Sequence, residues 1–228
     1  MTRNAVFPDL TTDPNMVPTL PVSPRARLAD GAAALGILLT PSQIDRMFAF
    51  LELLARWNRT YNLTAVRDPD EQVPRHLLDS LAIRAFLFGD TVLDLGTGAG
   101  LPGLPLALCD PDRRYCLLDG SGKKIRFVRQ AVMEFGLTQV EAVHSRIESY
   151  RPGRKFSTIV TRAVAEIAAI HLLAAPLLDR PGRLLVMKGR YPHDELRNPA
   201  LSDLDLTVHP LCVPFLEGDR HLIEIRCE

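Results

Sequence analysis

The feature that most constrains the fold is a regular alternation of short apolar runs with helix-length segments between residues 91 and 188. This alternation is typical of βαβ units, in which a crossover helix returns the chain to a parallel strand. It predicts an α/β fold with strands at Thr91–Leu95, Arg114–Asp119, Val140–His144, Ser157–Thr161 and Arg183–Lys188. Helices are expected to follow Leu101, Ser121, Glu148, Glu166 and Asp194.

The C-terminal part of the sequence departs from this alternation. Leu206 to Phe215 and His221 to Arg226 are two apolar-rich runs, and a short turn at residues 217–219 joins them without a helix. Strands with such a short connection pair in antiparallel fashion. We therefore expect a Rossmann-like, mostly parallel sheet with a C-terminal antiparallel hairpin.

The segment before the first strand contains helical patterns. Thr40, Pro41 and Gln43 supply an N-cap, a first-turn proline and a capping-box partner for a helix that should run to about Arg59. Apolar residues recur along it at spacings of three and four, so that one face should pack on the body of the protein. After a turn at Asp68, Pro69 and Asp70, a third helix is expected around His76 to Phe88.

These patterns suggest a domain organisation. Residues 1–24 contain five prolines among small and polar side chains, and we expect a disordered tail there. Residues 25–88 should form an N-terminal helical cap on a catalytic domain of residues 89–228. The ordered part, residues 25–228, is expected to be one compact unit.

Charge is distributed unevenly along the chain. The 27 basic and 27 acidic side chains give no net charge, but residues 113–162 hold eleven Arg and Lys against four Asp and Glu. A neutral protein with such a stretch can present a basic face to a polyanion.

The four cysteines show no metal-binding spacing, and we identify neither a secretion signal nor an apolar run long enough for a bilayer. We expect a monomeric cytoplasmic protein with reduced thiols and no membrane partner.

The strongest motif is a strand that runs into a glycine-rich turn and then a helix, Val92-Leu93-Asp94-Leu95-Gly96-Thr97-Gly98-Ala99-Gly100. Glycines at such a turn allow backbone N–H groups to approach a ligand closely. The spacing fits the G-x-G-x-x-G of nicotinamide enzymes poorly. An acidic residue that leads into G-x-G-x-G is instead typical of S-adenosylmethionine enzymes, in which Asp94 would orient the turn and the methionine end of the cofactor. A purely structural turn is the other interpretation.

The second predicted strand ends at Asp119, nineteen residues after Gly100. A carboxylate at this position can accept hydrogen bonds from both hydroxyls of a ribose. The alternative is that Asp119 caps the helix that follows, since one carboxylate cannot easily do both.

Five strings, one of them the glycine turn described above, give the sequence a specific resemblance. In order, they are Trp57-Asn58-Arg59-Thr60-Tyr61-Asn62-Leu63-Thr64, His76-Leu77-Leu78-Asp79-Ser80-Leu81, the Asp94 turn with its Leu101-Pro102-Gly103 continuation, Thr161-Arg162-Ala163 and Lys188-Gly189. Together they resemble the RsmG (GidB) family, over about Leu35 to Arg226. The sequence departs from the family at Gly120, where a serine is common.

The resemblance implies a class I S-adenosylmethionine-dependent methyltransferase that forms 7-methylguanine at guanine 527 of 16S ribosomal RNA, free or within the small ribosomal subunit. It also implies which residues contact the cofactor: Gly96, Leu101, Ile147, Glu148 and Arg162, beside Asp94, Gly98, Gly100 and Asp119 of the motifs above.

The proposed chemistry requires little from the protein. Nitrogen-7 of guanine carries a lone pair and no hydrogen, so no base has to remove a proton, and catalysis reduces to alignment and electrostatics. Arg162 is the candidate for that role: it would hold the methionine carboxylate or brace the base, unless it simply pairs with Glu166.

Phosphate contacts are expected from Lys123, Arg146 and Lys188 at the strand and helix ends, whereas Arg126 and Arg129 suit a solvated helix face. No metal is expected, because no third ligand accompanies His76 and Asp79, which we assign to packing of the cap.

Two alternatives remain open: a methyltransferase of the same fold with a small-molecule or protein substrate, and a non-catalytic RNA-binding module.

Overall fold

A seven-stranded sheet forms the centre of the structure, a computed structural model that describes residues 23–162 and 165–228. In sequence, the strands are β1 (Thr91–Leu95), β2 (Arg114–Asp119), β3 (Val140–His144), β4 (Phe156–Arg162), β5 (Leu178–Lys188), β6 (Asp205–Pro210) and β7 (His221–Cys227). Their order in space is β3-β2-β1-β4-β5-β7-β6. The first five are parallel, and β7 runs antiparallel to both β5 and β6. The predicted α/β sheet with its terminal hairpin is confirmed.

Helices cover both faces of this sheet. They are α1 (Pro24–Ala34), α2 (Pro41–Tyr61), a composite α3 that covers residues 69–81, α4 (Gly103–Cys109), α5 (Gly122–Glu134) and α6 (Ile167–Ala174). None of the helices in the described ranges has the length and apolar character needed to cross a bilayer.

Helix α2 begins as predicted. The Gln43 amide N–H donates to Thr40 Oγ1 at 3.2 Å, and Thr40 N–H donates to Gln43 Oε1 at 2.9 Å. These two bonds complete the capping box, which satisfies backbone donors that the first turn leaves unpaired. The helix ends at Tyr61, two residues later than predicted, because the next residue, Asn62, has a φ of 48° that stops its propagation.

The third helix corrects the sequence prediction. It begins at Pro69, where a turn was predicted, because Asp68 accepts a hydrogen bond from the Asp70 N–H at 2.9 Å and caps the new helix. It continues through Pro69–Gln72, a π-helical turn at Val73–Leu78 and Asp79–Leu81. The region predicted as its second half contains a short 3₁₀ turn at Arg84–Phe86.

Two other predicted helices are absent from the described part of the chain. The segment at Glu148 forms a 3₁₀ turn, Ile147–Ser149, and the segment at Asp194 forms another, Glu195–Arg197. Pro199 explains the end of the second turn, because a proline restricts the residue before it, here the cap residue Asn198. The first turn ends where Tyr150 adopts an extended conformation.

The cap and the sheet share a hydrophobic core. Helices α1 to α5 pack on one face of the sheet, and α6 packs on the other. Phe127 of α5, fully buried, lies between two side chains of α2, with ring centroids 6.3 Å from Phe50 and 5.8 Å from Trp57. The division into cap and catalytic domain stays a prediction, as does the tail: residues 1–22 lie outside the described residues, while Ser23 caps α1.

Candidate active site

The glycine turn after β1 is held by Asp94. Its Oδ2 accepts hydrogen bonds from Thr97 Oγ1 at 2.6 Å and from the Gly103 N–H at 2.8 Å, so the carboxylate spans the whole turn. Gly98 and Gly100 have φ angles of 59° and 77°, a region that favours glycine. A Cβ at Gly100 would also overlap the side chain of Leu104, so this turn requires its glycines.

Asp94 itself is completely buried. Burial raises the pKa of this carboxyl from 3.8 to about 6, although its bonds to Thr97 and Gly103 favour the charged form. Its second oxygen, Oδ1, has no hydrogen-bond partner among the described residues. A buried acceptor without a partner is costly, which supports a site that a donor from a ligand or water completes.

Asp119 joins the ends of β1 and β2. Its Oδ2 accepts from the Gly98 N–H at 2.9 Å, its Oδ1 accepts from the Ser121 N–H at 2.8 Å, and Lys124 Nζ lies 3.7 Å away. Asp119 therefore does not cap α5, since the N-cap position belongs to Ser121. Asp119 lines the neighbouring cavity and each of its oxygens can accept a further hydrogen bond, as a ribose contact requires.

A cavity of about 440 Å³ opens beside Asp119, on the α6 face of the sheet at the carboxyl ends of β1, β2 and β4. We call it the sheet-edge pocket. Its walls are mainly apolar, and a few polar groups interrupt them, which is the usual composition of a site for an organic ligand. The residues that form it include Gly96, Leu118, Asp119, Ser145, Arg146, Ile147, Glu148, Thr161, Ile170 and Leu173.

The structure brings only part of the predicted cofactor set into this pocket. Gly96, Asp119, Ile147 and Glu148 line it, and Gly98 contacts Asp119. Asp94 and Gly100 determine the conformation of the turn but do not line the pocket. The side chain of Leu101 lies in the core, 3% exposed, so the predicted contact would have to come from its backbone. The apolar walls, Leu118, Ile170 and Leu173, were not predicted, because their strand and helix positions look like ordinary core.

A second cavity, of about 340 Å³, lies on the opposite face of the same sheet edge. We call it the cap pocket, because the cap supplies one wall and the ends of β4 and β5 with the start of β7 supply the other. Arg162, predicted as a cofactor contact and catalytic residue, lies here and not in the sheet-edge pocket. Other residues that line the cap pocket are Thr64, His76, Asp79, Lys188 and Arg220.

Asp79 holds two arginines at the cap pocket. Arg162 Nη1 lies 3.3 Å from Asp79 Oδ2, and Arg220 Nε lies 3.0 Å from Asp79 Oδ1. Arg162 thus pairs with Asp79 and not with Glu166. The assignment of Asp79 to packing was incomplete: its partners lie 83 and 141 residues away, and no local signal in the sequence reveals them.

The three residues predicted to contact phosphates differ in whether their charge is already paired. Lys123 is exposed and has no ion-pair partner within residues 23–162 and 165–228, and Arg146 is exposed at the rim of the sheet-edge pocket. Lys188 is instead engaged, with Nζ 2.8 Å from Glu195 Oε1 and 2.9 Å from the Ala165 carbonyl oxygen. A phosphate contact from Lys188 would first require this ion pair to open.

His76, in the wall of the cap pocket, should make the stability of the folded protein depend on pH. Burial lowers the pKa of its ring from 6.5 to about 4, and its Nε2 lies 3.1 Å from Thr64 Oγ1. The unfolded chain therefore takes up a proton at a higher pH than the folded protein does, so acid favours unfolding. We expect the free energy of unfolding of the native protein, relative to His76→Gln, to fall by on the order of 3 kcal/mol as the pH drops from 6.5 to 4.

Urea denaturation of both proteins at several pH values measures this difference. Parallel stability profiles for the two proteins would contradict the assigned cause.

The described residues contain no cluster of three His, Cys, Asp or Glu side chains in a metal-binding arrangement.

Comparison with known proteins identifies the fold and the family. A solved S-adenosylmethionine-dependent methyltransferase from Aquifex aeolicus superposes with a TM-score of 0.55 at 16% identity, over 73% of this chain and 97% of that one. At this identity the likeness shows the fold alone, the Rossmann-like class I methyltransferase fold.

Two relatives are much more similar in sequence. Ribosomal RNA small subunit methyltransferase G of Methylococcus capsulatus is 50% identical over 200 residues, which cover 87% of this chain and 97% of that protein. The protein of the same name from Ectopseudomonas mendocina is 48% identical over 202 residues, with 87% and 94% covered. The sequence model of the GidB family, described as rRNA small subunit methyltransferase G, matches residues 43–223. The chain therefore belongs to the family of rRNA small subunit methyltransferase G, as its resemblance to the RsmG (GidB) family implied.

Proposed function

We propose that this protein transfers the methyl group of S-adenosylmethionine to nitrogen-7 of guanine 527 in 16S ribosomal RNA. Family membership and the class I fold support the activity of a small-subunit rRNA methyltransferase. The comparisons do not state which nucleotide or which of its atoms is methylated, so guanine 527 and nitrogen-7 are part of the proposal. The observation that carries the proposal is the sheet-edge pocket, where Asp119 lies beside the glycine turn at the carboxyl edge of the sheet.

The sheet-edge pocket fits a nucleoside with an attached amino acid. Leu118, Ile147 and Leu173 give it apolar walls for a flat ring, and Asp119 offers carboxylate lone pairs to ribose hydroxyls. The backbone of the glycine turn at Gly96 provides polar groups for the amino-acid end, and Asp94 holds that backbone in place. S-adenosylmethionine supplies the transferable methyl on its sulfonium.

The chain's own residues then have a limited task. Guanine nitrogen-7 needs no deprotonation, so no general base is required, and the protein must mainly align the base with the methyl group of the donor. Arg162 at the end of β4 is the side chain that we propose for this task. The RNA is proposed to lie along Lys123 and Arg146, which are exposed at the same edge.

Two other functions would use the same fold. A small-molecule or protein methyltransferase would not need the basic residues at the sheet edge, and a non-catalytic RNA-binding module would not need the cofactor. The proposed partner is 16S RNA or the small ribosomal subunit. That the protein is monomeric and cytoplasmic stays a prediction.

Methyl transfer from tritiated S-adenosylmethionine separates these functions. The acceptor is the small subunit, or its 16S RNA, from cells that lack this protein, and mass spectrometry of nuclease fragments locates the methyl group. We expect one 7-methylguanine, at position 527. Label on another nucleotide, on protein or on no acceptor would refute the proposal.

Asp119 should contribute directly to cofactor affinity. In Asp119→Ala the ribose hydroxyls lose their acceptor, and Gly98 loses the bond that fixes the turn. Removal of one such partner costs about 1 to 3 kcal/mol, so the dissociation constant for S-adenosylmethionine should rise roughly 5- to 150-fold. Isothermal titration calorimetry measures it.

Asp110→Ala is the matched control, since Asp110 is equally buried but pairs with Arg113 away from the pocket. Equal dissociation constants for wild type and Asp119→Ala would return Asp119 to a structural role.

A further inference from the structure

We propose that the cap pocket receives the acceptor guanosine, and that Asp79 is a positioning residue that sets Arg162 and Arg220 along its wall. This inference rests on the proposed function. It assigns the second cavity and gives a role to a buried carboxylate that methyl transfer itself does not require.

The two cavities lie back to back across the end of β4. Thr161 lines the sheet-edge pocket, and the next residue, Arg162, lines the cap pocket. Successive residues of a strand point to opposite faces of the sheet, and their Cα atoms are about 3.8 Å apart. The two cavities are therefore neighbours across the end of a single strand. A cofactor and a base that both extend past this end would meet there, as direct transfer requires.

The charge in the cap pocket suits a nucleotide of RNA. Asp79 offsets one of the two guanidinium groups that it holds, Arg75 pairs with Glu71, and Lys188 pairs with Glu195. One positive charge is left over beside a cavity of about 340 Å³. An anionic or carbonyl-rich ligand is favoured there over a cationic one.

Both arginines retain donors for such a ligand. Arg162 uses Nη1 on Asp79 and on the Arg75 carbonyl oxygen, and Arg220 uses Nε on Asp79 and Nη1 on the Asp219 carbonyl oxygen. Nη2 of each has no acceptor among the described residues, and the two side chains are 27% and 22% exposed. These nitrogens can donate to O6 of guanine or to a flanking phosphate.

The carboxylate has a specific reason to hold these groups. A mobile arginine binds guanine through O6 and nitrogen-7 together, and that contact would block the atom that must attack the methyl group. Asp79 holds both guanidinium groups in place and is itself almost completely buried, so the positions from which they donate are set by the cap and not by the base. Asp79 thereby limits how far either arginine can turn toward nitrogen-7.

This arrangement predicts different kinetic effects for two variants. Arg220→Ala removes an RNA contact, so KM for the small subunit should rise on the order of tenfold with a shallower salt dependence. Asp79→Asn keeps the side-chain volume but frees the arginines and adds one net positive charge. Its kcat should fall on the order of tenfold while KM stays constant or decreases. Neither variant should change the dissociation constant for S-adenosylmethionine more than twofold.

Arg183→Ala is the matched control. Arg183 also pairs with a buried carboxylate, Glu224, at 3.1 Å and is 31% exposed, but it does not line the cap pocket. The assay is steady-state methyl transfer to small subunits that lack the modification, with calorimetry and thermal melts of each variant. The result that would overturn the inference is an Arg220→Ala protein with wild-type KM and salt dependence, or equal losses in Arg183→Ala.

A crosslink keeps the inference testable if Asp79→Asn does not fold. RNA with 6-thioguanosine at the target position should crosslink under near-ultraviolet light to peptides that contain Thr64–His76 or Arg220. A crosslink to the start of α5 instead would place the base elsewhere and overturn the inference. Wild-type protein that transfers no methyl group to any RNA would refute the proposed function, whereas active protein with a misplaced crosslink refutes this inference alone.

Discussion

Replacement of Arg162 by alanine is expected to lower the rate of methyl transfer by about two orders of magnitude at saturating RNA and cofactor. Arg162 lies at the end of β4 in the wall of the cap pocket, and Asp79 orients its guanidinium. Loss of a contact that aligns the reacting groups, with a misplacement of about 1 Å, can cost about 10² in rate. Single-turnover methylation measures the transfer step directly, without contributions from product release.

The fold should survive this change, because Asp79 keeps its bond to Arg220. A melting temperature close to that of wild type would confirm it. Arg183→Ala, which removes an arginine from another buried ion pair, should keep the wild-type rate. If Arg162→Ala also kept that rate, no catalytic role for this residue would remain.

Replacement of Phe127 by alanine is expected to destabilise the protein by about 3 to 5 kcal/mol. Phe127 is fully buried and contacts Phe50 and Trp57 of α2, so truncation leaves a cavity between the cap and the catalytic domain. Buried Phe-to-Ala changes generally have this cost. For a chain of this length, the melting temperature should fall by about 6 to 20 °C.

Met133→Ala is the control, since Met133 lies on the same helix but is 70% exposed, and its effect should stay within about 0.5 kcal/mol. Calorimetry of the native protein also tests the domain prediction. A single two-state transition for wild type supports one compact unit, whereas two resolved transitions would show that the cap unfolds by itself.

The positions of the central strands were predictable because local patterns determine them. The bounds of β1, β2 and β3 agree with the prediction residue by residue, since each is a fully or partly apolar run with a turn at both ends. β5 was predicted five residues too short: Leu178 pairs with Phe156, and the ladder with β4 resumes only at Arg183, so that residues 179–182, with Pro181 and Gly182, form an irregular segment inside the strand. The pairing of Leu178 depends on the neighbouring strand, which a local pattern does not show.

The part of the candidate site that local patterns determine was predictable as well. Asp94 and Asp119 were found because a parallel sheet brings the carboxyl ends of its strands to one edge. The cap pocket was not, because it is formed by segments that are distant in sequence. Lys188 illustrates the difficulty: its place at a strand end was correct, but its partner Glu195 lies in a 3₁₀ turn where the sequence predicted a helix.

The position of β7 has a consequence for synthesis of the enzyme. This strand follows every other described strand along the chain, yet it lies inside the sheet, between β5 and β6. During translation, β6 therefore leaves the ribosomal exit tunnel before the strand that must separate it from β5. Arg220 directly precedes β7, so the arginine pair of the cap pocket is completed at the same moment. A nascent chain thus lacks the proposed acceptor site until β7 has emerged, so methyl transfer through the cap pocket has to wait for the completed sheet.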